Sequence, residues 1–237
     1  MLMTKATTKK RSTAMDSYFG SKATSGLCQP IIAMMPPHDT YIETHLGGGA
    51  IMRRKPPALH NIAIDLDPKP LAAFECDYPV EKINGCAHQF LSAYAYRGRE
   101  LVYCDPPYLH HTRTSARRYR FDYEEQDHIE LLEILKGLPC SVILSGYPSP
   151  VYDELLADWG ALELQVMNQS GVRTEKLWFN FTPDRVHWCR YAGKNFTDRQ
   201  RIKRKAENWG KRYQALPRAE RLAVLSSIMA VEAEETV

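Results

Sequence analysis

Asp105-Pro-Pro-Tyr108 places an acid, two imino acids and an aromatic ring directly after the apolar run Leu101–Cys104. Proline has no backbone N–H and a fixed φ, so Pro106 and Pro107 stiffen the turn and let its carbonyls face outward as acceptors. The Asp105 carboxylate and the Pro106 carbonyl can together take the two N–H bonds of an amino group on a planar ring. Its nitrogen lone pair then turns toward an electrophile, while Tyr108 stacks on the ring. Such a transfer needs no covalent intermediate, so Cys104 reads as a buried strand thiol rather than a nucleophile.

Two upstream features belong with this turn. In Tyr41-Ile-Glu-Thr-His-Leu-Gly-Gly-Gly-Ala50 an apolar run ends at Glu43, and Gly47, Gly48 and Gly49 lead into a helical segment. Glycines there let the backbone turn tightly and approach a ligand closely. About 20 residues further on, a second apolar run ends in Asp65, where an acid can accept hydrogen bonds from two ribose hydroxyls. Together they point to a nucleoside cofactor without saying which.

These residues must be held by elements that the pattern also predicts. Short apolar runs at Tyr41–Thr44, Ile62–Leu66, Glu81–Ile83, Leu101–Cys104, Val142–Ser145, Leu162–Met167 and Lys176–Phe181 read as strands. Amphipathic segments at Ala50–Lys55, Pro68–Cys76, Ala87–Tyr94, Glu124–Lys136 and Val151–Trp159 alternate with them as helices. The fold class is therefore α/β: a mainly parallel, Rossmann-like sheet with helices on both faces, which binds ligands at the carboxyl ends of its strands. Beyond Lys194 the character changes. Thr197 is placed to cap a helix carrying Ile202, Ala206, Trp209 and Tyr213, and Leu216-Pro217 separates it from a second helix with Leu222, Leu225 and Met229. The expected organisation is a disordered basic arm over 1–13, a catalytic domain over 14–194 and a basic helical extension over 195–237.

Composition narrows the function classes. With 44% hydrophobic and 25% charged residues the chain can bury a globular core, and no apolar run approaches the roughly 18 residues of a membrane span. The basic start lacks an apolar run after it, so no secretory signal is expected. The six cysteines form no CxxC pair and no histidine stands at zinc-ligand spacing from them, so the expectation is reduced thiols, no metal and a cytoplasmic setting. The net charge is only +3, but residues 190–221 carry eleven Lys/Arg against three Asp/Glu. Arg113, Arg117, Arg118 and Arg120 form a second basic cluster just past the Asp-Pro-Pro-Tyr turn. Both clusters suit a phosphate backbone, and Arg201, Lys203, Arg204 and Lys205 of the first are placed to extend the contacts of the second.

From Tyr18 to Phe181 the chain resembles the D12-class DNA adenine-N6 methyltransferases, with the motifs in that family's order. Tyr18-Phe-Gly-Ser-Lys22 looks like the N-terminal cofactor motif, Glu43-Thr-His-Leu-Gly-Gly-Gly49 like Glu-Pro-Phe-x-Gly-x-Gly, and Asp65 like the ribose-binding acid. Ile83-Asn-Gly-Cys-Ala87 resembles the segment that normally reads Asn-Gly-Asp-Ala, and Asp105 to Tyr108 the catalytic motif. His128 falls in a helix that begins Asp-His in many members, and Thr174-Glu-Lys-Leu-Trp-Phe-Asn180 looks like the late strand beside the target-base pocket. The resemblance implies a Rossmann-like methyltransferase domain and S-adenosylmethionine as cofactor, contacted by Tyr18, Lys22, Glu43, Gly47–Gly49, Asp65, residue 86 and Asp105. It implies double-stranded DNA as partner, with an adenine flipped into the site, in a bacterial or phage-infected cell; a homodimer stays open.

Three departures qualify these expectations. Thr44-His45 replaces Pro-Phe. Cys86 replaces the Asp that binds the cofactor's adenine amino group, and a thiol is a poor acceptor, which implies weaker affinity. Only 17 residues separate Ala87 from Asp105, too few for the target-recognition insert of this class, which implies a short or relaxed target sequence. Alternatives remain: a cytosine-N4 enzyme, disfavoured because its motif usually starts with Ser; an RNA methyltransferase; and an inactive, methyltransferase-like DNA-binding protein.

Overall fold

The computed structural model describes residues 27–112, 120–168, 171–183 and 195–234. Its elements run in the order α1 (Cys28–Met34), β1 (Thr40–Glu43), α2 (Ala50–Arg54), β2 (His60–Asp65), α3 (Pro68–Ala73), β3 (Glu81–Asn84), α4 (Ala87–Ala93), β4 (Glu100–Cys104), α5 (Glu125–Lys136), β5 (Ser141–Gly146), α6 (Pro150–Leu155), β6 (Gly160–Asn168), β7 (Gly171–Phe179), α7 (Phe196–Ala215) and α8 (Arg218–Glu234).

The seven strands form one sheet in the order β3-β2-β1-β4-β5-β7-β6. β1 pairs in parallel with β2 and β4, β2 with β3, and β4 with β5. β7 runs antiparallel to both β5 and β6. The mainly parallel sheet with helices on both faces is thus present, and the reversed β7 is an addition the sequence pattern did not specify. β1 and β4 are buried at every position, as expected of central strands covered on both faces, while the edge strand β3 is largely exposed and carries Glu81 and Lys82.

Period-2 alternation along the central strands divides the interior into two layers. Tyr41, Leu101, Tyr103 and Ile143 face one layer with Ile31 of α1, Ile51 and Met52 of α2 and Phe74 after α3. Ile42, Val102, Cys104, Val142 and Leu144 face the other with Leu91 of α4, Leu131, Leu132 and Leu135 of α5 and Tyr152 of α6.

Local chemistry sets the helix starts that border the site. The Asp67 side chain accepts from Lys69 N and Pro68 occupies the first turn, so α3 begins immediately after β2. Glu124 and Asp127 form a reciprocal capping box that fixes the entry into α5. For α7 the expected cap was Thr197. The cap is instead Asn195, whose side chain accepts from Asp198 N, and the helix starts at Phe196. Leu216-Pro217 ends α7 as anticipated, and Leu225 of α8 packs against the first core layer. Among the described residues no helix is long and apolar enough to cross a membrane, and no cluster of His, Cys, Asp or Glu is arranged to hold a metal.

Candidate active site

After β3 the chain crosses through α4 to β4 on the far side of β1, so the strand order reverses between β1 and β4. The crevice beyond their carboxyl ends is the place where open α/β sheets bind ligands. A cleft opens there, bordered by Glu43 and the Gly47–Gly49 loop after β1, Asp65–Asp67 after β2, Gly85 and Ala87 after β3, and Asp105–Tyr108 after β4. Arg120, Phe121 and Tyr123, on the approach to α5, line its remaining side.

The glycine loop is fastened to the end of β2. Leu46 N donates to Ile64 O at 3.0 Å and Gly47 N to Asp65 Oδ2 at 2.9 Å. Asp65 Oδ1 accepts from Asp67 N at 2.9 Å, so the carboxylate expected to bind ribose also ties two loops together. Each oxygen keeps a second lone pair with which to accept a ligand hydroxyl. Burial raises the Asp65 pKa, and the two backbone amides oppose that shift. Gly49 has φ +62°, and a Cβ there would lie 2.4 Å from two Phe74 ring carbons, so the residue type is fixed by conformation and by space.

Glu43 lies at the floor of the cleft, 2% exposed, with Tyr41 OH donating to its Oε2 at 2.9 Å. Burial pushes its pKa to about 8, aided by the negative charge of Asp105 and opposed by the Tyr41 hydrogen bond and by Lys55. Lys55 is itself buried, its amine 4.4 Å from the Tyr41 ring centroid, and burial lowers it to about 8.

The Asp105–Tyr108 turn is held from two neighbouring strands. Ser145 of β5 donates to Asp105 Oδ1 at 2.7 Å, and Tyr103 OH lies 3.0 Å from Ser145 Oγ. A serine hydroxyl has one proton; since it goes to the carboxylate, Tyr103 must be the donor to Ser145. Tyr108 OH reaches both oxygens of Glu175 on β7, at 3.2 and 3.0 Å, and lies 3.4 Å from Asp105 Oδ1. The Tyr108 ring meets Tyr147 edge-on at 4.4 Å, and Arg173 donates to Tyr147 OH at 3.0 Å. Asp105, Pro106, Pro107 and Tyr108 all line the cleft.

Thr44-His45 is built into a polar network. His45 Nδ1 lies 2.9 Å from Thr44 Oγ1, and His45 Nε2 lies 3.0 Å from Tyr123 OH, which in turn is 3.4 Å from His88 Nδ1. His88 Nε2 lies 2.8 Å from the Asp127 carbonyl. Burial drives the His45 pKa down to about 3, with the nearby His88 and His128 acting in the same direction. The imidazole is therefore neutral, and the pair tethers the 120–124 segment across the cleft. His128 is buried behind the site, with Nδ1 2.7 Å from Tyr152 OH.

Not every expected site residue falls in the cleft. Cys86 is not among its lining residues, although its neighbours Gly85 and Ala87 are. As N-cap of α4 it has its thiol 3.7 Å from His88 Nδ1. Arg120, grouped by sequence with phosphate-binding arginines, lines the cleft and pairs with Asp67 Oδ1 at 3.2 Å. On α7, Arg201 pairs with Asp198 at 2.7 Å and Lys203 approaches Glu207 at 4.0 Å, while Arg204 and Lys205 lie on the same exposed helix. Tyr18, Lys22, Arg113, Arg117 and Arg118 lie outside the described residues. Sequence reasoning set the 174–180 segment near the site without singling out Glu175, and it missed Ser145, Tyr147 and Tyr123. One signal was available, the polar Ser145 at the end of the apolar run Val142–Ser145, whereas Glu175 stands in the polar stretch Arg173–Lys176, ahead of the expected strand Lys176–Phe181.

No family model and no curated protein matches the chain. Among solved structures it is similar to precorrin 8W decarboxylase from Methanobacterium thermoautotrophicum, with 15% identity over 70% of this chain and 95% of that one and a TM-score of 0.49. It is similar to an O-methyltransferase from Bacillus cereus in complex with SAH (13% identity, 70% and 84% of the two chains, TM-score 0.45). It is also similar to an rRNA methylase from Streptococcus thermophilus (12% identity, 65% and 93%, TM-score 0.41). Likeness at this level says nothing of substrate, so the functional reading rests on the cleft's own residues.

Proposed function

We propose that the protein is an S-adenosylmethionine-dependent methyltransferase that modifies the N6 amino group of an adenine flipped out of DNA. The observation that carries the reading is the meeting of Asp105–Tyr108, the Gly47–Gly49 loop and Asp65 in one cleft at the strand-order reversal. The cleft fits such a cofactor in kind: its glycine loop leaves backbone exposed, Asp65 can accept from a ribose, and Leu66 and Phe121 offer apolar surface to a purine. When bound, the cofactor supplies an activated sulfonium methyl, so the protein contributes position and electrostatics.

In this reading Asp105 and the Pro106 carbonyl accept the two N–H bonds of the adenine amino group and so direct its lone pair. Tyr108 offers its ring face to the base, and Ser145 keeps the Asp105 carboxylate in one orientation. The basic α7 contacts phosphates and supplies affinity that is largely independent of sequence. With one short helix and one strand between Ala87 and Asp105, a short or relaxed target follows.

The test is to incubate unmethylated DNA with the protein and S-adenosylmethionine, digest it to nucleosides and analyse these by mass spectrometry. N6-methyldeoxyadenosine is expected with the wild type and not with Asp105→Ala. Methylated cytosine, methylation of RNA alone, or DNA binding without any transfer would each overturn the proposal.

A further inference from the structure

Glu175 lies in the middle of β7, opposite Leu164 of β6, and is 6% exposed. Strand interiors select β-branched and aromatic side chains, and burying a carboxylate costs free energy unless hydrogen bonds compensate it. Leu177, the next residue on the same face of the strand, is buried and apolar as that rule expects. A buried acid at this point therefore calls for a function, and its geometry supplies one: both carboxylate oxygens lie within hydrogen-bond distance of Tyr108 OH.

We infer that Glu175 is a positioning residue for the methyl-transfer centre, acting through Tyr108; the inference rests on the function proposed above. Tyr108 needs two restraints to present one ring face to a substrate. Its hydroxyl is held by Glu175 across 67 residues of sequence, and its ring is held by the edge-on contact with Tyr147. Tyr147 is held in turn by Arg173, two residues before Glu175 on β7. The reversed strand β7 thus reaches the Asp105–Tyr108 turn through two side chains, Glu175 directly and Arg173 by way of Tyr147. Without the carboxylate the Tyr108 side chain loses the anchor at its far end, and the stacking plane wanders. Misplacement by about 1 Å at a reacting centre can lower a rate about 100-fold. Cofactor affinity is not expected to change, because Glu175 does not line the cleft that contains Asp65 and the glycine loop.

The experiment is a double-mutant cycle on methyl transfer with Tyr108→Phe, Glu175→Ala, the pair together, and Glu175→Gln. Thermal unfolding verifies that each variant is folded. Expected are 10- to 100-fold losses in kcat for Tyr108→Phe and Glu175→Ala, with KM for S-adenosylmethionine unchanged. The double variant should be no worse than the poorer single one, because both remove the same bond. Glu175→Gln retains an acceptor oxygen and should recover most of the activity. Losses that multiply, or a Gln variant as poor as the Ala variant, would overturn the inference while leaving the methyltransferase reading intact. A wild type that transfers no methyl group overturns that reading and the inference with it.

Discussion

Gly49→Ala tests whether the cleft's loop is held by conformation and space together. The backbone at this position has φ +62°, a region that costs an L-residue about 1–2 kcal/mol relative to glycine. The added methyl would also sit 2.4 Å from two carbons of the Phe74 ring, which is 1% exposed and cannot swing into solvent. Overpacking of a buried site costs about 1–3 kcal/mol. The sum, about 2–5 kcal/mol, corresponds to a fall in Tm of roughly 5–15 °C for a chain of this size. Chemical denaturation gives the same quantity without assuming reversibility on heating. The clash component can be isolated: Phe74→Ala should cost about 1–3 kcal/mol less in the Gly49→Ala background than alone, because the shortened side chain leaves room for the methyl. A Gly49→Ala variant within about 0.5 kcal/mol of wild type, or costs at the two sites that simply add, would refute the reasoning.

Three further outcomes follow from other parts of the molecule. Because the buried His45 titrates near 3 rather than its usual 6.5, its proton binds the unfolded chain first; stability should be full above pH 6.5 and fall as pH drops toward 3. The loss from this residue alone is about 2 kcal/mol at pH 5, and urea unfolding of wild type and His45→Gln across pH 5–7 would show whether the substitution removes that slope. Leu132→Ala, in the fully buried layer beneath α5, should lower stability by about 2–5 kcal/mol, as measured by urea unfolding. On the proposed function, Arg204→Ala with Lys205→Ala should weaken duplex binding equally across sequences. The pair should reduce the slope of log K against log salt by about 2, and an unchanged slope would place the DNA elsewhere.

Strand positions were largely legible as short runs bounded by turn residues, although β3 is mostly polar and β7 begins at Gly171 rather than Lys176. Direction was not: alternation marks a strand but carries no sign for its orientation, so the reversal of β7 emerged only from pairing. α1 went unrecognised because it has no side-chain cap, no acid in its first turn and no basic residue in its last. The Asp105–Tyr108 turn, the glycine loop and Asp65, which border one cleft, could be picked out because their distinctive residues are concentrated in short stretches of sequence. Ser145 and Glu175 could not, since they meet Asp105 and Tyr108 across 40 and 67 residues, through strand order alone. Cys86 is a different case: its place in a motif suggested a ligand contact, and what the structure adds is its position as N-cap of α4, with the thiol 3.7 Å from His88 Nδ1.

Asp65 serves two ends of the chain at once: Gly47 N on the loop after β1 and Asp67 N at the threshold of α3. Its substitution therefore does more than remove a partner for a ligand. It releases the glycine loop and loosens the turn from which Asp67 caps its helix. A binding constant measured on an Asp65 variant then mixes lost contact with lost preorganisation, and the two separate only if loop order is followed by amide exchange in the ligand-free protein. For anyone seeking to reshape the cleft, residue 65 is a hinge pin rather than a dial. Changes at Leu66 or Phe121, whose side chains border the same cleft without holding up its walls, can reshape it at smaller cost.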